Sequence, residues 1–97
     1  MTQSIPVTTE SLLKLFGSLD ENAIAVEKRL GVALRPRDGV LKIVGNDEVN
    51  VERAEGLIKS LLTLIGKGVE LTRERVSAAI DLALMDKPDE IVALSTD

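Results

Sequence analysis

Hydrophobic and polar residues follow one another along this chain with two different periods, one typical of helices and one typical of strands. Apolar residues spaced three and four apart mark four helical segments, at about residues 10–16, 19–30, 48–65 and 73–87. Alternation marks two strands, at residues 32–37 and 40–44. Residues 4–7 are a candidate for a further short strand, in which Pro6 would lie at a sheet edge or at the start of the strand. The predicted order is therefore strand, helix, helix, strand, strand, helix, helix. Asp38-Gly39 predicts a two-residue hairpin between the second and third strands.

The segment between the first two helices carries specific turn signals. Gly17 fits the position after the first helix, where a left-handed backbone is accessible to glycine without steric strain. Ser18 and Glu21 have the spacing of a capping box, which predicts that the second helix starts near residue 19 or 20. The buried stripe predicted for this helix, which Ile24 would widen, is Leu19, Ala23, Val26 and Leu30.

The third predicted helix carries more apolar surface than a small sheet can cover. Its apolar residues are Val51, Ala54, Leu57, Ile58, Leu61, Leu62, Leu64 and Ile65. A helix packed on one sheet needs an apolar stripe only about 100° wide. The surplus is covered either by the last helix, or by another subunit or a further domain. Gly56 lies inside this helix, and close packing on a neighbour would explain a residue that costs ~1 kcal/mol relative to alanine.

This order of elements predicts a single α+β domain in which helices cover one face of a three-stranded sheet. The last helix is expected to pack against the third. We assign residues 1–88 to the domain. Residues 89–97 contain apolar side chains without a clear period between acidic flanks, so this segment is predicted to be a linker.

The composition excludes several classes of function. The chain contains no cysteine and no histidine, which excludes disulfides, thiolate or imidazole metal sites, and catalysis by cysteine or by a serine–histidine pair. The formal net charge is −4, so the general attraction of a basic domain for phosphates is missing. The sequence has no signal peptide and no apolar run near the roughly 18 residues of a membrane span. We therefore expect a cytoplasmic protein without a membrane partner.

The first candidate site is the turn formed by Gly17, Ser18, Leu19 and Asp20. Backbone N–H groups at the start of a helix favour anions, which makes this turn a candidate for contacts with nucleic-acid phosphates. The alternative is that its polar side chains only cap the second helix. The acids around it and before the third helix are interpreted as first-turn acids at helix N-termini, so no metal site is predicted.

The second candidate site consists of three cations on the predicted hairpin, Arg35, Arg37 and Lys42. By alternation they project from one face of the sheet, opposite the face that carries Leu34. They either contact a nucleic-acid backbone, or keep an exposed sheet face solvated and protect its edge. Phe16 is the only aromatic residue of the chain, so bases cannot stack on aromatic side chains of the sheet.

The turn and the order of elements resemble the K homology (KH) domain. Such domains place an I-G-x-x-G turn between two helices, and Phe16-Gly17 stands here at the position of the Ile-Gly pair. Leu30-Gly31 followed by Val32 resembles the lead into the next KH strand. The turn departs from the pattern because Asp20 replaces the second glycine and no basic residue stands in the middle. The resemblance implies a type I KH-like order, β-α-α-β-β-α, with an additional C-terminal helix.

A narrower resemblance covers residues 12–84. The motifs that carry it are L-F-G-x-x-D-E-N at 15–22, R-L-G-V at 29–32, V-E-R-A-E at 51–55 and G-x-E-L-T at 68–72. Together they are similar to the N-terminal domain of PhoH-like proteins, a family whose name connects it with phosphate starvation in bacteria. In that family a P-loop ATPase domain follows, and RNA-related roles are attached to the whole protein. The P-loop motif is absent here, and Gly66-Lys67-Gly68 is predicted to end a helix.

The resemblance implies an accessory N-terminal domain with weak or vestigial binding of single-stranded RNA. The residues expected to contact RNA are Gly17, Ser18, Leu19, Arg35, Arg37 and Lys42. The alternative is a protein-interaction or oligomerisation module that docks onto the ATPase domain or another partner. We expect no enzyme activity and no cofactor in this chain, whereas ATP and Mg²⁺ would belong to the ATPase domain of the family.

Overall fold

The computed structural model describes residues 1–95 and contains a three-stranded antiparallel sheet with helices packed on one of its faces. Its strands are β1 (Thr2–Pro6), β2 (Ala33–Arg37) and β3 (Val40–Val44). Its helices are α1 (Thr9–Phe16), α2 (Glu21–Leu30), α3 (Glu48–Gly66) and α4 (Arg73–Leu84). Short 3₁₀ turns lie at Ser18–Asp20, Pro88–Glu90 and Val92–Ser95. These elements confirm the predicted α+β class.

The sheet has the order β1-β3-β2, with β3 antiparallel to both neighbours. The hairpin between β2 and β3 is the predicted two-residue turn. Asp38 and Gly39 both have positive φ, at 48° and 81°, as a type I′ turn requires. This sheet order and the order of elements along the chain are consistent with a KH-like architecture.

Side-chain caps fix the starts of three helices. The side chains of Thr8, Asp47 and Thr72 accept hydrogen bonds from backbone N–H groups in the first turns of α1, α3 and α4. At the other end of α3, Gly68 has a φ of 81° and its N–H binds the carbonyl of Ile65, which confirms the predicted stop.

The core lies between the inner face of the sheet and the helices. Leu41 and Ile43 of β3 are completely buried, and Ile5 and Leu34 of the edge strands lie on the same face. The helix α3 supplies the largest share of the core: Val51, Ala54, Leu57, Ile58, Leu61, Leu64 and Ile65. It packs on the sheet, on the three other helices and on the last two 3₁₀ turns. The apolar surface of α3 is thus covered within this chain by α4, as one of the two alternatives predicted, together with α1, α2 and the last two 3₁₀ turns.

The start of α2 differs from the prediction. Ser18 makes no capping hydrogen bond, and α2 begins only at Glu21. A capping residue must stand directly before the first helical turn, whereas here Leu19 and Asp20 intervene with left-handed backbones, at φ values of 53° and 58°. The predicted capping box is therefore wrong. Leu19 also leaves the predicted buried stripe, and its side chain is 93% exposed. Ile24 is exposed too, so it does not widen that stripe.

Part of the segment after the predicted boundary at residue 88 packs on α3. Ile91 is completely buried, and the two 3₁₀ turns beside it pack on α3. Ser60 on α3 donates a hydrogen bond to the Pro88 carbonyl at 3.2 Å. A 3₁₀ turn buries single residues rather than a stripe, so no period in the sequence marked this segment. Residues 96–97 lie outside the described residues, and their assignment to a linker stays a prediction.

Gly56 faces Pro88, and a Cβ at Gly56 would lie 3.4 Å from the Pro88 Cβ. The neighbour expected for this glycine is therefore present. The distance is an ordinary van der Waals contact, so space alone does not require glycine at this position.

Candidate nucleic-acid interface

At the turn between α1 and α2, Gly17 lies beside the buried side chain of Asn22. Gly17 has φ 77° and ψ −172°, a conformation that is accessible almost only to glycine. A Cβ at this position would lie 2.7 Å from Nδ2 of Asn22, and Asn22 itself is buried. Both the backbone conformation of Gly17 and the neighbouring Asn22 therefore disfavour a side chain at position 17.

This turn presents an apolar and an acidic side chain to the solvent. Leu19 is the most exposed of the large hydrophobic residues among those described, and Asp20 beside it is also exposed. The N–H of Asp20 already binds the Gly17 carbonyl at 3.3 Å. A phosphate approaching the turn would meet the carboxylate of Asp20, and none of the residues Ser18–Asp20 carries a positive charge. The geometry of the turn therefore opposes phosphate binding at this place.

The three predicted cations lie on the outer face of the sheet. The register places Arg35 directly opposite Lys42, and Arg37 opposite Val40. Residues directly opposite each other in an antiparallel pair project from the same face, whereas the neighbouring Leu34 points into the core. The predicted common face of the cations is confirmed by this register.

Arg35 and Lys42 form no ion pair with any acid of residues 1–95. Like charges directly opposite each other in a sheet destabilise the pair. Arg37 differs, because its Nε lies 3.7 Å from the carboxylate of Asp38, and both side chains are largely exposed. The outer face therefore carries two neighbouring cations whose charges the described part of the protein does not neutralise.

The structure does not bring the turn and the cations together. The turn Ser18–Asp20 belongs to the helical layer, since it connects α1 and α2. Arg35 and Lys42 project from the face of the sheet that points away from this layer. A single-stranded ligand that contacted both would have to pass around an edge of the sheet.

Two buried or half-buried polar contacts were not predicted from the sequence. Glu27 on α2 accepts a hydrogen bond of 2.9 Å from the N–H of Leu34 on β2. Asn22 lies under Gly17, as described above. Asn22, Val26 and Leu30 follow one another at intervals of four residues, so they lie on one face of α2. The helical period therefore did indicate that Asn22 is buried. Glu27 lies outside that stripe, and no local pattern indicated its partner.

Comparison with known proteins identifies the relatives of this chain. It is 30% identical over 94 residues to proteins named PhoH-like protein from Mycobacterium tuberculosis and Mycobacterium bovis. It is 35% identical over 74 residues to a PhoH-like protein from Bacillus subtilis. The chain is homologous to a small domain of PhoH-like proteins.

The matched region is a minor part of each PhoH-like relative. The mycobacterial match covers 94% of this chain and 26% of the relative, and the Bacillus subtilis match covers 76% and 23%. The chain thus spans about a quarter of the length of the PhoH-like proteins it matches, which is consistent with the predicted relation to their N-terminal domain. No family model matches the chain. No solved structure matches it either.

The acids around the turn and before α3 lie at separate helix ends. Asp47 caps α3 through a 2.8 Å hydrogen bond from the Val49 N–H, and Glu21 at the start of α2 pairs with Arg73. Within residues 1–95, no group of three or more acids is placed to hold a metal ion. The described helices also include none that is long and apolar enough to cross a membrane.

Proposed function

We propose that this domain is an accessory, non-catalytic module of a longer PhoH-like protein and that it binds single-stranded RNA weakly through the outer face of its sheet. The observation that carries the proposal is the placement of Arg35 directly opposite Lys42 on an exposed face without acidic partners. This arrangement costs folding free energy, and the phosphates of a bound strand would relieve it. The match to a quarter of each relative supports the accessory role.

Binding at this face would use phosphates rather than bases. Lysine contacts phosphate as a point charge and arginine as a planar fork, and neither contact reads a base. The face offers no aromatic platform, because Phe16, the only aromatic residue of the chain, lies on α1. For a single strand, each neutralised phosphate contributes about −0.7 to the slope of log K against log salt. Two or three cations therefore give an expected slope of about −1.4 to −2.1.

The turn residues Gly17, Ser18 and Leu19 are placed outside this proposed surface. Asp20 opposes phosphate at the turn, and the cations project from the other side of the sheet. In this proposal the KH-like turn does not contact RNA. The residues that contact RNA are Arg35, Lys42 and the neighbouring Arg37.

The test is a titration of the whole chain into a labelled single-stranded RNA of about 12 nucleotides, followed by fluorescence anisotropy at several salt concentrations. Arg35→Gln/Lys42→Gln is expected to weaken binding about tenfold and to reduce the magnitude of the salt slope by about 1.4. The matched control, Lys28→Gln/Lys67→Gln, removes the same charge from exposed positions on other surfaces and is expected to retain the slope.

Two results would contradict the RNA proposal. The first is a wild-type chain that shows no salt-dependent binding. The second is an equal loss in the control variant, since this would mean that net charge alone, rather than the outer face, governs the affinity.

A second candidate function is docking onto the remaining part of a PhoH-like protein through the turn. The observation that favours it is Leu19, a large apolar side chain that is almost fully exposed on a left-handed backbone. Sedimentation velocity of the domain, alone and with the unmatched three quarters of the Bacillus subtilis relative, tests this role. Leu19→Ser is expected to abolish the complex, whereas Leu13→Ser, at another exposed leucine, is the matched control. A mixture that sediments as two separate species contradicts docking.

A further inference from the structure

The helices α2 and α4 run side by side in the same direction. Arg73 at the start of α4 pairs with Glu21 at the start of α2 at 3.3 Å, and Arg29 near the end of α2 pairs with Asp81. Both pairs join residues 52 positions apart in the sequence, so the two helices are parallel and in register. The pairs are eight residues apart on each helix, or about 12 Å at 1.5 Å per residue.

A cleft of about 340 Å³ lies between these two ion pairs. Its apolar part is formed by Ala25, Val76 and Ile80, and Ser77 lies beside them. This volume is at the lower end of the range of roughly 300–1,000 Å³ found for ligand sites. The cleft therefore has room for a small ligand with an apolar centre and polar ends.

Asn22 is the one buried polar residue among those that line this cleft. The residue is only 5% exposed, and the other buried residues of the described chain are apolar. Its amide forms no hydrogen bond with the other residues of the described range, 1–95. The amide can donate two hydrogen bonds and accept two, which matches the donor and acceptor of a peptide group.

We propose that this cleft binds the C-terminal end of an extended peptide, with a peptide group on Asn22 and the terminal carboxylate on Arg29. The distance between these residues along α2 is seven positions, or about 10 Å, which equals roughly three extended peptide residues. An apolar side chain of the peptide would lie on Val76 and its neighbours. The guanidinium of Arg29 can bind a carboxylate through two parallel hydrogen bonds.

The charges of the cleft favour a peptide over a nucleic acid. Glu21 contributes a carboxylate to the lining near Arg73, and a chain of phosphates would be repelled there. A peptide end carries one carboxylate and neutral amide groups, so only the end near Arg29 needs a cation. The partner of Arg29, Asp81, does not line the cleft, so a ligand carboxylate can approach the guanidinium from the other side.

The experiment is a ¹H–¹⁵N NMR titration of the whole chain with the acetylated tripeptide alanyl-alanyl-leucine as its free acid, and with the same tripeptide as its C-terminal amide. We expect saturable shifts of the Asn22 side-chain NH₂ signals with the acid. We also expect binding of the amide to be weaker by about fivefold or more, because its charge-assisted contact is lost. Ser77→Leu fills the cleft at an exposed position and is expected to abolish the shifts, while Ser4→Leu on the sheet retains them.

The proposal is overturned if no signal saturates up to about 10 mM tripeptide, which corresponds to a free energy of binding weaker than about −3 kcal/mol. It is also overturned if Ser77→Leu leaves the shifts unchanged, or if a short RNA shifts the Asn22 signals while the tripeptide does not. None of these outcomes depends on the outer face of the sheet, so they are distinguishable from failure of the RNA proposal.

Discussion

The carboxylate of Glu27 on α2 accepts a 2.9 Å hydrogen bond from the backbone N–H of Leu34, on the outer edge of β2. An edge strand exposes N–H groups that can pair with strands of other chains. The next N–H that would point outward belongs to residue 36, which is a proline and has none. Within residues 34–36, the edge of β2 therefore has no backbone N–H group that points outward without a hydrogen-bond partner.

A proline also removes one outward donor from the opposite edge of the sheet, which is formed by β1. The N–H of Val7 binds the carbonyl of Gly39 at 2.9 Å and thus points into the sheet. Because N–H directions alternate along a strand, the nitrogen of Pro6 points outward, where it has no hydrogen to donate. Prolines on both edges disfavour association of copies of this domain through strand pairing.

Removal of the Glu27 carboxylate is expected to destabilise the domain. Glu27→Ala leaves the Leu34 N–H without its partner, which should lower the free energy of unfolding by about 1–2 kcal/mol. Glu27→Gln keeps an acceptor oxygen and should lose less. Urea denaturation measures the stability, and hydrogen exchange of the Leu34 amide reports the local contact. Glu52→Ala, at an exposed position of α3, is the control, and equal losses in the Gln and Ala variants would contradict the role of this hydrogen bond.

Replacement of Leu19 by glycine is expected to stabilise the domain. The left-handed backbone at φ 53° strains a leucine, and the exposed side chain contributes no packing that would be lost. The expected gain is about 0.5–1 kcal/mol, after part of the relieved strain is offset by the greater freedom of glycine in the unfolded chain. Leu19→Ala keeps the strain and should leave the unfolding midpoint unchanged. If alanine stabilised as much as glycine, the exposed side chain rather than the backbone would be the cause.

Gly17→Ala is expected to destabilise the domain by about 1–3 kcal/mol. The added methyl group would meet Nδ2 of Asn22 at 2.7 Å on a backbone with a φ of 77°. Gly66→Ala is the matched control, because a Cβ at Gly66 would have no neighbour within 4 Å. Thermal unfolding of both variants tests the contact, and equal midpoints would show that the turn adapts to a side chain at position 17.

Ile91→Ala should cost about 2–5 kcal/mol, the usual range for truncating a fully buried isoleucine. If the chain after residue 88 were a flexible linker, Ile91→Ala would leave the free energy of unfolding unchanged. Val92→Ala, at a half-buried neighbour, should cost less. Urea denaturation of the two variants therefore decides whether the segment after α4 is part of the cooperative unit.

The pair between Arg53 and Asp86 is expected to make stability depend on pH. The hydrogen bond from the Arg53 guanidinium, at 2.9 Å, lowers the pKa of the Asp86 carboxyl below its ordinary value. A carboxyl with a lowered folded-state pKa stabilises the protein above its unfolded-state pKa, and this contribution is lost as the pH falls through the folded-state pKa.

Asp86→Asn removes this contribution and keeps a residue that tolerates the left-handed backbone at φ 59°. The variant should be less stable than wild type at neutral pH, and the difference should vanish in acid. Urea midpoints between neutral pH and about pH 2 measure this convergence. Asp89→Asn, whose carboxylate forms no ion pair within residues 1–95, is the control. A constant difference between wild type and Asp86→Asn over this range would contradict the expectation.

The chain by itself determined the elements whose signals are local or periodic. Asp38-Gly39 specified the hairpin because both residues adopt positive φ readily, and Gly68 ended α3 for the same reason. Alternation along β2 and β3 placed Arg35 and Lys42 on one face, since a strand repeats every two residues.

Only the tertiary structure decided the contacts that join distant parts of the chain. The hydrogen bond from Leu34 to Glu27, the burial of Ile91 on α3 and the ion pairs between α2 and α4 leave no period in the sequence. The start of α2 was predicted wrongly because Leu19 and Asp20 adopt left-handed backbones, so the helix begins only at Glu21. Local preferences amount to about 1 kcal/mol each, so a single close contact in the core is enough to reverse them.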